Sequence, residues 1–237
     1  MTELLFYADA YLRNCEAQVV SADERGIVLD RTVFYPLGGG QPGDVGSLMT
    51  GDGREVVIAD TRKGDAPGTV LHIPVSGLAP LNAGDRVVAA IDWDRRHHHM
   101  RIHTCLHVLS AAVPSGVTGG SVRYDSGRLD FDLPEQILDR DQIEARLNQL
   151  IGGNHTVTPQ WITDEELADR PELVKTMSVK PPAGMGRVRL LEIAGVDLQA
   201  CGGTHVANTA EIGGVRVVKI ENKGTHNRRV TVALDTG

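Results

Sequence analysis

Two short segments about a hundred residues apart carry matching pairs of metal-ligand side chains, and together they constrain the fold more than any other feature. His103 and His107 stand four positions apart in "RIHTCLHVLSA", which is predicted to be helical, so both would lie on one face about 6 Å apart along the axis. Cys201 and His205 stand four apart in "QACGGTHVAN", where two glycines favour a turn. One thiolate and three imidazoles suit tetrahedral zinc, so the sequence predicts a fold in which the two segments meet.

Each pair alone is a weak signal, because two histidines at this spacing are often surface residues and a lone cysteine is often simply buried. The metalloprotease version of the motif needs Glu after the first His, and Thr104 stands there instead, so that reading lacks its general base. Cys105 is two positions from His103 and should face the other side of the helix. The preceding run of histidines at 97–99 is predicted to be a solvated helix start, although His99 shares a helical face with His103.

Composition limits the class of protein. A net charge of −7 argues against a protein that coats nucleic acid through bulk electrostatics, although two local basic patches occur, at 95–101 and in "VRVVKIENKGTHNRRV". No apolar run approaches the ~20 residues that span a bilayer, and the first residues lack a basic-then-apolar leader. Three scattered cysteines do not make a disulfide framework. We therefore expect a cytoplasmic protein without a membrane or DNA partner.

The pattern of apolar residues predicts two domains, at 1–90 and 91–237. The first ninety residues contain short Val- and Ile-rich strands separated by turn residues, with no convincing helix, which predicts a small β-barrel or sandwich. The second part is predicted to be α+β, with a helix over 95–113, a hairpin over 122–133 that turns at Asp125-Ser126-Gly127, and a helix that Pro134 opens and that Gly152 and Gly153 close. Further strands are predicted at 155–163, 186–194, 213–222 and 228–235.

A glycine-rich stretch, "TVFYPLGGGQPGDVGSL" at 32–48, is the third unusual feature. Three consecutive glycines allow positive φ or close approach of a ligand to the backbone. It is neither a Walker loop nor a dinucleotide fingerprint. A tight loop between two barrel strands is the plain alternative, yet Thr32, Gln41 and Asp44 add hydrogen-bonding capacity that a mere turn does not require.

Four motifs in order, "TVFYPLGGGQPGDVG", "HTCLH", "CGGTHVANTAEIG" and "ENKGTHNRRVTVAL", resemble the editing module of alanyl-tRNA synthetase and its free-standing relatives, the AlaX proteins. The resemblance spans nearly the whole chain. The glycine-rich segment resembles that of the medium AlaX form, which has an N-terminal barrel ahead of a zinc-binding editing domain. Thr225 and His226 depart from the basic or glycine residues expected at those positions.

The resemblance implies hydrolysis of the ester of a tRNA for alanine wrongly charged with serine, with glycine left open as a second substrate. It implies that zinc is held by the residues that would also be catalytic, His103, His107, Cys201 and His205. The zinc could activate water or hold the substrate. Thr32 and Gln41 are expected to read the serine hydroxyl and Asp44 to fix the loop. The remaining expected substrate contacts are backbone groups of Gly39, Gly40, Gly202 and Gly203, the last two toward a developing oxyanion. Expected contacts to tRNA phosphates are Arg96, Arg101, Lys219, Lys223, Arg228 and Arg229, although for each one singly a solubilising charge is at least as good an explanation.

Three alternatives stay open. The editing domain of threonyl-tRNA synthetase shares the two histidine-bearing motifs, although the glycine-rich barrel segment argues against it. A zinc-stabilised RNA-binding module without catalysis would unfold on metal removal and deacylate no tRNA. A generic zinc hydrolase on small molecules ranks third, because no independent small-molecule pocket is evident. The oligomeric state does not follow from the sequence.

Overall fold

A computed structural model describes residues 1–75, 81–133, 138–175 and 186–235. The chain divides into two compact units. The first unit comprises Met1–Gly38 and Pro42–His97, and the second comprises Gly39–Gln41 and His98–Gly237. The tripeptide Gly39–Gln41 therefore belongs to the unit that holds most of the C-terminal residues.

The first unit is a closed barrel, as the strand pattern predicts. Its barrel strands follow one another in the order β2-β3-β7-β6-β5-β8, and the short β1 pairs in parallel with β4. A four-residue helix, α1, is an element that the sequence did not indicate. The bounds are β1 Glu3–Leu4, α1 Leu5–Ala8, β2 Asn14–Asp23, β3 Gly26–Leu29, β4 Arg31–Thr32, β5 Gly46–Thr50, β6 Glu55–Lys63, β7 Val70–Pro74 and β8 Arg86–Ile91.

Alternation along the strands explains why the barrel forms. In β6, Val56 and Ile58 are buried while Val57 between them is exposed, as expected for a strand with one face toward a core. In β8, Val87 and Ala89 are buried on the same principle. These side chains join one apolar cluster inside the barrel.

The second unit is α+β, as predicted. Its strands form one antiparallel sheet in the order β14-β15-β10-β9 and another in the order β11-β12-β13. The helix α2 begins in the first unit and runs on into the second. The bounds are α2 Trp93–Ala112, β9 Val117–Val122, β10 Ser126–Asp132, α3 Arg140–Gly152, β11 Val157–Ile162, α4 Asp164–Ala168, β12 Val188–Ile193, β13 Asp197–Ala200, β14 Val215–Lys223 and β15 Asn227–Leu234, with 3₁₀ helices at Pro171–Leu173 and Thr209–Ile212.

Two element boundaries differ from the predictions. The predicted helix start at Pro134 lies outside the described residues; α3 as described begins at Arg140, because the Asp139 side chain caps it by accepting from two backbone N–H groups. The hairpin turns at residues 123–125, two positions earlier than predicted, because Ser126 and Gly127 already pair with strand partners. The strand β13 and the helix α4 were not predicted. Within the described ranges, no helix is both long and apolar enough to cross a membrane.

Candidate metal centre

The helix α2 presents His103 and His107 on one face. Their ring centroids are 5.4 Å apart, and both side chains are buried. The other faces of the helix are anchored by Ile102 and Leu109, which are fully buried, so the helix cannot rotate to expose the histidines. The spacing of four residues thus positions both imidazoles at one point inside the second unit.

Cys201 and His205 lie on the loop that follows β13, and this loop is held by its backbone. The Cys201 N–H donates to the Arg189 carbonyl oxygen at 3.0 Å. The Arg189 guanidinium in turn donates from Nη1 to the carbonyl oxygens of Cys201 and Gly203, both at 2.9 Å. A side chain at Gly203 would overlap the His103 ring, so glycine is required for the loop to approach α2.

The two predicted pairs are brought together. The four potential ligand atoms of His103, His107, Cys201 and His205 all lie within 4.8 Å of one another. The Cys201 Sγ is 3.2 Å from His205 Nε2 and 3.7 Å from His103 Nε2. The Gly203 N–H also points at this sulfur, at 3.4 Å.

Gln41 fixes the tautomer of His103. Its Oε1 accepts from the Thr204 N–H at 3.1 Å, and its Nε2 donates to Thr204 Oγ1 at 2.8 Å, so the orientation of the amide is determined. The same Oε1 lies 2.8 Å from His103 Nδ1. Because a carbonyl oxygen can only accept, Nδ1 must carry the proton, which leaves a lone pair on Nε2.

The other two imidazoles are oriented in the same way. Thr104 Oγ1 donates to the Met100 carbonyl oxygen at 2.9 Å, so toward His205 Nδ1, at 3.2 Å, it can only accept. Asp197 Oδ2 accepts from His107 Nδ1 at 3.2 Å. In all three histidines, Nδ1 therefore holds a proton, and Nε2 is the nitrogen that can bind a metal, an arrangement typical of metal-binding histidines.

The electrostatics favour a thiolate. Burial raises the pKa of the Cys201 thiol, but the nearby imidazoles of His103, His205 and His107 outweigh burial and hold it well below its usual range. Burial, together with the neighbouring His103, lowers the pKa of His205 well below its usual value. Burial lowers the pKa of His107, but the Cys201 sulfur and the Asp197 carboxylate raise it by more than burial lowers it, so that it stands at about 9.

These residues fit a metal ion of borderline softness. A thiolate and three imidazole nitrogens converge on one point, and each imidazole has an oxygen partner behind it. Such a donor set is typical of zinc, whereas magnesium and calcium prefer oxygen ligands.

The barrel unit uses two of the predicted substrate residues internally. The Thr32 hydroxyl lies 2.8 Å from His72 Nε2 and accepts from the Phe34 N–H at 3.0 Å. Asp44 accepts from the Tyr35 N–H and pairs with Arg96. Asp44 thus holds the loop through the Tyr35 backbone, and its carboxylate is buried.

The prediction that Arg96 is a tRNA contact is wrong in this structure. Its side chain is fully buried, and it forms an ion pair with Asp44. Its remaining N–H groups donate to the carbonyl oxygens of Val33 and Ala10. The sequence "DWDRRHHH" suggested an exposed basic helix start, but the buried carboxylate of Asp44, 52 positions earlier, draws Arg96 inward.

The neighbouring histidines are also less solvated than predicted. His99 is 1% exposed, His97 stacks on Trp93 and His98 stacks on Tyr124. Cys105, by contrast, lies outside the metal cluster as expected; it is fully buried, and burial raises the pKa of its thiol to about 12.

The other predicted substrate and tRNA residues are distributed over the second unit. Gly39 and Gly40 have positive φ, and Gly40 packs so closely on Gly120 that a side chain would not fit. Arg101 donates to the Ile212 carbonyl oxygen. Three further side chains lie on β14 and β15 with partners of their own. Lys219 and Lys223 pair with Glu221, and Arg229 pairs with Asp130. Arg228 lies next to Arg229 on β15. Gly202 is exposed on the loop after Cys201.

Sequence reasoning missed the residues behind the ligands. Asp197, Thr104 and Lys175 surround the centre without a recognisable spacing. One signal was available: Asp197 is the acidic residue of a short strand and stands four positions before Cys201. A carboxylate at such a place is often the partner of a metal-bound histidine.

Comparison with known proteins identifies relatives over the whole length. Residues 6–95 match the family described as tRNA synthetases class II (A), and residues 188–231 match the Threonyl and Alanyl tRNA synthetase second additional domain. The alanyl-tRNA editing protein AlaX-M of Methanosarcina acetivorans is 39% identical over 99% of both chains. That of Saccharolobus solfataricus is 34% identical over 97% of this chain and 98% of its own. The alanine–tRNA ligase of Metallosphaera sedula is 38% identical over 93% of this chain, which corresponds to 25% of the ligase. The chain described here belongs to the AlaX-M family.

Proposed function

We propose that this protein is a trans-editing hydrolase that cleaves the ester between serine and a mischarged tRNA for alanine, with zinc held by His103, His107, Cys201 and His205. The observation that carries the proposal is the convergence of one thiol and three imidazoles, each of which has an oxygen partner at Nδ1 and so offers Nε2 to a metal. Relatives of nearly the same length are named alanyl-tRNA editing proteins, which supports the substrate class.

The chain's own residues would prepare this centre. Gln41, Thr104 and Asp197 hold a proton at Nδ1 of each imidazole, and the Gly203 N–H stabilises the thiolate. A bound zinc ion would supply Lewis acidity, either to activate water or to hold the ester. Because the Gly203 N–H is directed at sulfur, we retain only Gly202 as the backbone donor for a developing oxyanion.

Discrimination needs a group that bonds the serine hydroxyl. A pocket for a small side chain rejects an added hydroxyl only about a hundredfold, whereas a site that hydrogen-bonds the hydroxyl discriminates by about 10⁴ to 10⁵. Gln41 Nε2 donates one N–H to Thr204 Oγ1, and its second N–H is our candidate donor to the substrate. Thr32 is retained as a candidate on the family resemblance alone.

For the tRNA, we propose Lys219, Lys223 and Arg228 as phosphate contacts. Lys219 and Lys223 are 62% and 41% exposed, and Arg228 lies on the adjacent strand opposite Asn222. Arg101 and Arg229 are kept as weaker candidates because they are less exposed: the Arg229 side chain is 24% exposed and pairs with Asp130, and Arg101 is partly buried and donates to a carbonyl oxygen. Binding through these residues should weaken as salt increases.

The test is release of serine and of alanine from tRNA for alanine, measured for the wild type and for Cys201→Ala with zinc content assayed in parallel. Cys15→Ala is the matched control, since Cys15 lies on β2 of the barrel. We expect serine to be released far faster than alanine, and Cys201→Ala to lose both metal and activity. A folded, zinc-loaded wild type that cleaves neither ester would overturn the proposal in favour of a non-catalytic RNA-binding module. If the protein rapidly deacylated only the substrates of the threonyl-tRNA synthetase editing domain, it would be assigned to that editing class instead.

A further inference from the structure

A charged side chain lies behind one of the direct partners of the ligands. Asp197, whose carboxylate orients His107, is itself bound by Lys175. We propose that Lys175 is a positioning residue for the metal centre, acting through Asp197 on His107. This inference rests on the metal site of the proposed function and concerns a residue that takes no direct part in binding.

The two oxygens of Asp197 have separate tasks. Oδ2 accepts from His107 Nδ1 at 3.2 Å and from Gln199 Nε2 at 2.6 Å. Oδ1 accepts from the Lys175 ammonium. The Asp197 side chain is 0% exposed, so its carboxylate depends on protein donors.

Removing Lys175 should therefore act on His107. A buried carboxylate oxygen without a donor costs free energy, and the carboxylate would turn toward another donor or draw in water. When the carboxylate turns, Oδ2 moves away from His107 Nδ1, and the imidazole loses the contact that holds its ring plane. Part of the free energy of metal binding would then be needed to orient His107 again, so the metal would bind more weakly.

Lys175 is itself held in place from two sides. Its carbonyl oxygen accepts from the Val117 N–H at 3.2 Å, which ties it to the first residue of β9. Two positions earlier, Leu173 is buried. These contacts hold the backbone at Lys175 in place, so the side chain starts from a fixed point.

A cavity of about 420 Å³ makes the lysine accessible from outside. Its wall includes Lys175, Ser110, Pro114 and Val196, and the lysine side chain is 32% exposed. A small cation could therefore diffuse to the place of the ammonium when the side chain is shortened. This gives an experiment that a purely structural lysine would not pass.

The first experiment measures zinc affinity of the full-length protein by competition with a chromophoric chelator, in the absence of tRNA. We expect Lys175→Met to lower the affinity about tenfold, at the lower end of the 10- to 100-fold losses typical for partners of metal-bound histidines. Lys175→Arg should recover most of it. Lys63→Met, an exposed lysine of the barrel, is the control. The absorption spectrum of the cobalt-substituted protein should change for Lys175→Met and not for the control.

The second experiment is chemical rescue of Lys175→Ala by propylammonium, with tetramethylammonium at equal ionic strength as the control. Propylammonium should restore zinc affinity in a saturable manner, because it alone can donate N–H to Asp197. Unchanged zinc affinity in Lys175→Met, or rescue by both cations alike, would overturn the inference. A wild type that binds no zinc would instead refute the metal site itself, and a wild type that binds zinc without cleaving seryl-tRNA would refute only the hydrolase.

Discussion

The Thr104 hydroxyl donates to the Met100 carbonyl oxygen and so can only accept from His205 Nδ1. A residue between the two helical ligands thus sets the tautomer of a ligand that lies about a hundred positions later. The Thr104 hydroxyl also accepts from the Val206 N–H at 3.2 Å, which ties the ligand loop to α2. One hydroxyl therefore connects both predicted segments.

We expect Thr104→Val to lower zinc affinity about 10- to 100-fold, because valine keeps the shape but accepts no hydrogen bond from His205. The unpaired Val206 N–H should also cost about 1–3 kcal/mol of stability. Thr104→Ser, which restores the acceptor, should recover the affinity. Chelator competition checks the first effect and urea unfolding the second. A valine variant that binds zinc as tightly as the wild type would show that His205 does not depend on this contact.

The three cysteines should differ in reactivity in the metal-free protein. Cys201 is partly exposed and its thiol pKa is held low, whereas Cys105 is fully buried with a pKa of about 12. Burial also raises the pKa of Cys15. Iodoacetamide at pH 7 should therefore alkylate Cys201 first and leave Cys105 unmodified. Zinc should protect Cys201, and peptide mapping by mass spectrometry reads the order directly. Equal labelling of Cys201 with and without zinc would speak against its role as a ligand.

Gly203→Ala should disrupt the metal centre more than Gly202→Ala does. A methyl group there would overlap the His103 ring and lie 3.0 Å from Gln41 Oε1, so either the ligand or its partner must shift. We expect at least a tenfold loss of zinc affinity. Gly202→Ala is the matched control because Gly202 is exposed and the change keeps its N–H. Retention of full zinc affinity by Gly203→Ala would mean that the loop relaxes without involving His103.

The buried ion pair between Arg96 and Asp44 should contribute to the stability of the barrel. Removing one partner of a buried ion pair typically costs about 3–5 kcal/mol, since the other charge is left uncompensated. Arg96→Met should therefore destabilise the barrel by that amount. Arg62→Met should cost at most about 1 kcal/mol, because the Arg62–Asp60 pair is exposed. Urea unfolding followed by the fluorescence of Trp93, which packs against the barrel core, measures both. Similar small losses in the two variants would contradict the structural role given to Arg96.

How far the sequence predicts this molecule depends on how local each signal is. The ligand pairs are detectable because His103 and His107, like Cys201 and His205, carry their spacing within five residues. Strand alternation is equally local, which is why the barrel was predictable. Asp197 needs knowledge of which histidine it faces, and that depends on how β13 packs.

Arg96 shows the same limit from the other side. A charged residue in a basic helix start is usually solvated, and only the fold reveals a buried carboxylate 52 positions away. Turn positions are also local, yet the hairpin prediction was displaced, because Gly127 was assigned to the turn. In the structure Gly127 packs in β10 against Ile102 and Leu106, where a side chain would not fit. Glycine there serves close packing rather than a turn.

The stability of the barrel should depend on pH through His72. Its Nδ1 donates to the Ile27 carbonyl oxygen at 2.9 Å and its Nε2 accepts from Thr32, so the buried ring is held neutral. Burial lowers its pKa from 6.5 to about 4. Between these values the unfolded chain binds a proton that the folded chain does not. The contribution is therefore complete above pH 6.5 and is lost as the pH falls toward 4.

At pH 5 this linkage should lower the unfolding free energy by about 2 kcal/mol relative to pH 7.5. We would measure it by urea unfolding in a Trp161→Phe background, so that Trp93 alone reports on the barrel. His72→Gln should be less stable at pH 7.5, because the glutamine does not reproduce both ring contacts. Its stability should change less between pH 7.5 and 5, since no group with a depressed pKa remains at that position. An equal loss of stability on acidification in His72→Gln and in its parent would assign the pH dependence to other groups and contradict this account of the barrel core.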